Sequence, residues 1–225
     1  AELPCTDRYC GNFISTDQFE IILNKVKNTD LYTPVFLAGT MGFRRSEVLG
    51  LRWSDINFET QTMRIQHTVV KCIKDHKITL MFSDVPKTRA SRRTLPLPSG
   101  VLRYLKELRR RQCDNYTAHR DKYSREYLKY ICVDDMGLIV KPDDLSVGFG
   151  RIMAEMNFHC RFHDLRHTCA SLLVQHGVEL KSVSIWLGHS SIAVTSDIYT
   201  HLTYREKLKV AETIDEYMKD VNVSP

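Results

Sequence analysis

Apolar and polar residues alternate along this chain with two periods, and the switches between them mark its elements. Phe19, Ile21, Ile22 and Val26 form an apolar side behind Ser15-Thr16-Asp17-Gln18, where Ser15 and Gln18 are spaced as a capping box, so a helix starts there. A second helix is predicted over 33–41, and Gly42 permits the tight turn that follows it. Arg44, Arg45 and Glu47 then open a short amphipathic helix that buries Val48, Leu49 and Leu51, with Trp53 close by. Strand-like stretches at 62–70 and 76–82 predict a hairpin, and 93–97 a third strand ended by prolines. From 101 to about 120 a long helix keeps Leu102, Leu105 and Leu108 inside and its basic residues outside. A short strand near 130–133 and a helix over about 144–156 lead to another helix, in which Leu165, Cys169, Leu172 and Leu173 recur as a buried stripe and Gly177 serves as the cap. A short helix over 181–187 closes at Gly188, and 204–219 forms a final amphipathic helix. The expected class is mainly α with a small antiparallel β-sheet, α+β, with no internal repeat.

The chemistry concentrates in the last quarter, in HDLRHT at 163–168, LGH at 187–189 and Tyr199. His163 and Arg166 are three apart, so on a helix they share a face and look out beside the apolar stripe. Arg44 and Glu47 repeat that spacing upstream, where an acid beside an arginine holds the guanidinium in one rotamer. Lys87 lies in PKTRASRR at 86–93, between strands. A guanidinium is a planar fork of donors that matches phosphate oxygens. A phenol, with a pKa of about 10, becomes a nucleophile once a base and nearby positive charge assist it. Together these groups point to phosphodiester chemistry.

Charge sharpens that picture. The 225-residue chain has a formal charge of +5 and a pI near 8.8. From Lys87 to Arg111 there are nine Lys or Arg against one acid, Glu107, a local +8 that marks an electrostatic footprint for a polyanion. Seven cysteines are scattered without a CxxC pair. No apolar run approaches a membrane span and no signal-peptide pattern is visible, so a cytoplasmic protein with reduced thiols and no membrane partner is expected. His163 and His167, with His159, Cys160 and Cys169 nearby, have a spacing that a zinc site uses, yet no further ligand stands at metal spacing. No metal is expected, and His167 is read as a packed or hydrogen-bonded structural residue.

GFRRSEVLGLRW, PKTRASRRTLPLP, HDLRHTCASLL, LGHSS and SDIYTHL resemble, in order, the signature segments of the tyrosine recombinase (integrase) family in its phage and integrative-conjugative-element form. The likeness covers about 13–204. The resemblance implies the family's catalytic-domain fold and a site-specific DNA recombinase that acts without metal, nucleotide or other cofactor. Tyr199 would attack the scissile phosphate and form a 3′-phosphotyrosyl bond. Arg44 and Arg166 would bind the non-bridging oxygens, His163 would help accept the tyrosine proton, His189 would donate to a phosphate oxygen, and Lys87 would protonate the leaving 5′ oxygen. Glu47 would support Arg44 from behind. Arg45, Arg89, Arg92 and Arg93 are the candidate DNA contacts.

The implied partners are a double-stranded recombination site, three further protomers in a synaptic tetramer, and an excisionase-type accessory factor. The interval between His189 and Tyr199 is one residue longer than the commonest family spacing, which leaves the path of that segment open, and Tyr204 is a nearby competitor. Residues 1–12 are read as a linker remnant and 13–225 as the catalytic domain, with the family's core-binding and arm-binding domains absent from this chain. Val210, Ile214 and Met218 on the 204–219 helix form a stripe that fits either a neighbouring protomer or its own domain. Two other functions remain open: a type IB topoisomerase-like strand transferase, which needs no second duplex, and a DNA-binding regulator that keeps the fold without cleavage.

Overall fold

The structure is a computed structural model that describes residues 14–74, 77–84 and 92–189. Lys87, Arg89, Tyr199 and the expected 204–219 helix lie outside the described residues.

Helix α1 (Thr16–Val26) begins as the sequence predicts. Ser15 Oγ accepts from the Gln18 amide at 3.2 Å, and Gln18 Oε1 accepts from the Ser15 amide at 2.9 Å. Phe19, Ile22 and Val26 are buried, but Ile21 is 51% exposed, because at 100° per residue it falls off the arc those three define. Helix α2 (Tyr32–Met41) is apolar on nearly every side, as befits the central helix of the core. It ends at Gly42, whose φ of 71° is left-handed. A Cβ there would also collide with the Leu187 side chain. Helix α3 (Arg45–Gly50) follows, and a 3-10 turn at Trp53–Asp55 leads into the strands.

The strands part from the sequence expectation. The stretch 62–70 is two strands in two sheets. Strand β2 (Thr62–Ile65) lies between β1 (Ile56–Asn57) and β5 (Arg93–Pro96), antiparallel to both, with Met63 opposite Leu95. Strand β3 (Thr68–Lys74) forms a separate hairpin with β4 (Lys77–Ser83). The break at 66–67 serves a change of partner, which alternation alone does not reveal. Near 130–133 there is no strand, only isolated bridges pairing Arg52 with Tyr130 and Val133 with Ile139.

Helices α4 (Ser99–Ala118), α5 (Pro142–Glu155), α6 (Asp164–Gln175) and α7 (Leu180–Leu187) complete the described fold. Buried side chains of α1 to α6 and both sheets form one core, and Ala170, Val183 and Leu187 join α6 to α7 in a smaller cluster. Trp186 anchors α7, its Nε1 donating to the Met41 carbonyl at 3.1 Å. The turn after α2, the start of α3 and the end of α7 are thereby brought together.

Candidate active site

The site is organised around a buried carboxylate. Glu47 sits in the first turn of α3 and is only 2% exposed. Its Oε1 accepts from Arg44 Nη1 at 2.8 Å and Arg93 Nη1 at 3.1 Å. Its Oε2 accepts from the Arg44 amide at 3.0 Å and Arg93 Nη2 at 3.1 Å. Arg166 Nη1 stands 3.8 Å from Oε2, outside hydrogen-bond range. Burial by itself would push the Glu47 pKa up, but the hydrogen bonds and charge of Arg93, then the charge of Arg166, bring it below its ordinary value. One carboxylate therefore faces three cations, and the cluster stays strongly positive.

Backbone carbonyls hold the arginines from the other side. The last turn of α7 leaves its C=O groups without helical partners. Trp186 O accepts from Arg93 Nε at 2.8 Å, Leu187 O from Arg166 Nη2 at 2.7 Å, and Gly188 O from Arg44 Nη2 at 3.0 Å. Gly42 O takes Arg166 Nη1 at 2.6 Å. Gly188, with φ of 69°, turns the chain so that its carbonyl and the following His189 lie at this edge.

Arg166 is expected to look outward beside the stripe, but it is 2% exposed. Its α6 position is three and four residues before buried Cys169 and Ala170, so it shares their inward face. Burial first, then the Arg44 cation, lower its pKa to about 9, which leaves it charged at neutral pH. Arg44 keeps a third of its side chain open. His163 immediately precedes α6, one edge open to solvent while its ring packs against His167. Desolvation, then His167 and Arg166, pull its pKa down to about 4. Desolvation, then Arg166 and Arg44, do the same to His189, also to about 4. Both imidazoles are thus neutral at pH 7, each with one nitrogen able to accept a proton and one able to donate. His167 packs edge-on against His163 at 5.1 Å, and among the described residues its buried Nδ1 has no hydrogen-bond partner.

The remaining candidates divide. Arg45 is exposed and bonds to Ser146 Oγ and the Pro142 carbonyl. With Arg44, Arg161 and His163 it lines an open cleft of about 560 Å³. Exposed Arg92 donates to the Asp84 carbonyl at 2.8 Å. Arg93, expected on the DNA-facing surface, turns inward, its side chain 8% exposed. It stands two residues before buried Leu95 on β5, so the strand's own period puts it on the core side, a signal legible in the sequence.

A second polar cluster was not anticipated. His67 is 5% exposed, with Nδ1 2.8 Å from Asp84 Oδ1 and Nε2 3.0 Å from the Tyr130 hydroxyl. Arg52 Nη2 pairs with the same Asp84 oxygen at 3.0 Å. The hydrogen bond from His67 is the main influence that lowers the Asp84 pKa. Asp84 and Arg92 are the described residues on either side of the interval that contains Lys87 and Arg89.

The chain as a whole is similar to known proteins. The chain is 33% identical over 208 residues to a protein named tyrosine recombinase XerC-like from Caldanaerobacter subterraneus subsp. tengcongensis, covering 90% of this chain and 53% of that one. It is 25% identical over 240 residues to the ICEBs1 integrase of Bacillus subtilis, covering 96% of this chain and 57% of the relative. It spans about half the length of these relatives. Among solved structures, the fold matches the Tn1549 transposon integrase in complex with circular intermediate DNA, with a TM-score of 0.72 at 19% identity, over 93% of this chain and 68% of that one. It also matches a lambda integrase tetramer bound to a Holliday junction, with a TM-score of 0.60 at 16% identity, over 86% and 49%. Residues 12–206 match the phage integrase family, and the chain belongs to it.

Proposed function

We propose that the chain is the catalytic part of a site-specific DNA recombinase of a mobile element, which cuts and rejoins strands through a 3′-phosphotyrosyl intermediate. The observation that carries this is the pair Arg44, fixed by Glu47 and the Gly188 carbonyl, and Arg166, fixed by the Gly42 and Leu187 carbonyls, together with two neutral imidazoles. Such a site binds a phosphate and takes up a proton without first losing one. Arg44 and Arg166 would hold the non-bridging oxygens, stabilising charge that grows on them in the pentavalent transition state.

Tyr199 supplies the nucleophile. Its phenolic oxygen forms the bond to phosphorus as the bond to the 5′ oxygen breaks; His163 accepts the phenolic proton and Lys87 gives one to the departing oxygen. His189 donates its N–H to a phosphate oxygen. The ester bond is conserved in the adduct, so attack by a 5′-hydroxyl reverses the step and rejoins a strand. Exposed Arg45 and Arg92, together with Arg89, would add backbone contacts. The lambda integrase tetramer on a Holliday junction supports an assembly of four protomers on two duplexes.

The test offers the protein two duplexes that carry a candidate recombination site, with supercoiled plasmid as a separate substrate. Recombinant joints between the duplexes are the expected result. Relaxation of the plasmid without joint formation would instead establish the topoisomerase-like alternative.

A further inference from the structure

We infer that Arg93 is a positioning residue of the active site, which keeps the buried Glu47 carboxylate from capturing Arg166. The inference rests on the assignment of Arg44 and Arg166 as the phosphate ligands. An ionised carboxylate offers about four lone-pair positions. In Glu47 all are taken, two by Arg93, one by the Arg44 side chain and one by the Arg44 amide. Arg166, 3.8 Å away, finds no vacant acceptor there and is drawn instead to Gly42 O and Leu187 O.

Removal of the Arg93 guanidinium opens one lone pair on each Glu47 oxygen in a buried site. A buried anion short of partners draws in the nearest cation not yet bonded to it, and at 3.8 Å Arg166 is that cation. Its swing toward Oε2 moves its donors off the phosphate position. The Arg93 Nε bond to Trp186 O adds a second effect, because the next two carbonyls are those that hold Arg166 and Arg44. Three successive carbonyls thus each hold one arginine, and loss of the first loosens the turn that sets the other two. Arg93 commits Nε to Trp186 O and both Nη atoms to Glu47, so its loss is expected to remove no phosphate contact.

The experiment compares wild type, Arg93→Met, Arg93→Lys and the double variant Arg93→Met/Glu47→Gln on nicked duplex carrying a candidate site. DNA affinity is titrated across salt concentrations, and covalent adduct formation is timed under single-turnover conditions with the DNA saturating. For Arg93→Met, an adduct rate lower by about 100-fold is expected, the scale of a misplacement of about 1 Å. Its affinity should stay within about two-fold, with an unchanged salt slope. Arg93→Lys, which lacks the two-pronged fork, should remain slow. The double variant, having no carboxylate to capture Arg166, should recover about 10-fold. Recovery by a second substitution also separates positioning from failure to fold. The inference is overturned if Arg93→Met cleaves at the wild-type rate once saturated while its salt slope falls by about one, the mark of a lost phosphate contact. A double variant as slow as the single one overturns it too. Absence of adduct from the wild type would sink the underlying assignment of the site, a result distinct from either.

Discussion

Replacement of Glu47 by Gln tests the electrostatic frame of the site. The carboxylate accepts four hydrogen bonds, one from the Arg44 amide, one from the Arg44 guanidinium and two from the Arg93 guanidinium. Gln keeps the shape but places an NH₂ donor against arginine donors and leaves three cations facing one another. Loss of one partner from a buried ion pair costs about 3–5 kcal/mol. Retention of one acceptor oxygen puts this case near the lower end, about 3 kcal/mol, or about 6–12 °C in Tm for a domain of this size. Thermal melting followed by circular dichroism reads the shift directly.

The pH dependence gives an internal control. The Glu47 pKa is depressed in the fold, so its contribution is present above the unfolded value near 4.5 and is lost as pH falls through the folded value. The gap between wild type and variant should therefore narrow below about pH 4.5. A variant that melts within about 2 °C of wild type at pH 7, or a gap constant down to pH 3, would refute the role assigned to this carboxylate.

Three further outcomes are expected. His163 and His189 have pKa values depressed to about 4 in the fold, against 6.5 when exposed, so the unfolded chain binds more protons between those values and stability should fall as pH drops from 6.5 toward 4; urea midpoints measured across that range should flatten in His163→Asn/His189→Asn, and an unchanged slope would contradict the assignment. His67→Phe strands the Tyr130 hydroxyl and one Asp84 bond, and a loss of about 2 kcal/mol in urea unfolding is expected, whereas a neutral result would mean that the cluster holds nothing in place. Gly42→Ala forces a side chain into left-handed backbone and against Leu187, so a loss of about 1–3 kcal/mol should accompany slower cleavage; wild-type stability would show that the turn relaxes freely.

Much of the local structure was legible because local rules write it. Ser15 with Gln18, Gly42 and Gly188 each mark an element boundary by their own chemistry. The strand break at 66–67 was not legible, since period two describes a strand but does not name its neighbour, and β2 pairs with a segment thirty residues away while β3 pairs with the next one. Within the site, the sequence exposed the reactive residue types but not their burial. Arg166 reads as a surface cation until the Gly42 and Leu187 carbonyls, far away in sequence, give it buried partners, whereas the strand period already turns Arg93 inward. The carbonyls of Gly42, Leu187 and Gly188 have no sequence signature at all, because every residue has a carbonyl and only the fold aims it. His67 was within reach: it continues the inward run of Met63, Ile65 and Val69, and a buried histidine implies partners for both nitrogens.

The most direct measurement of the central claim is covalent trapping on nicked suicide DNA, comparing wild type with Tyr199→Phe at matched DNA occupancy, followed by peptide mapping of any adduct. The account predicts an adduct attached through Tyr199 that is lost in the Phe variant. An adduct that persists in Tyr199→Phe, or its absence from wild type bound to a verified cognate site, would contradict it.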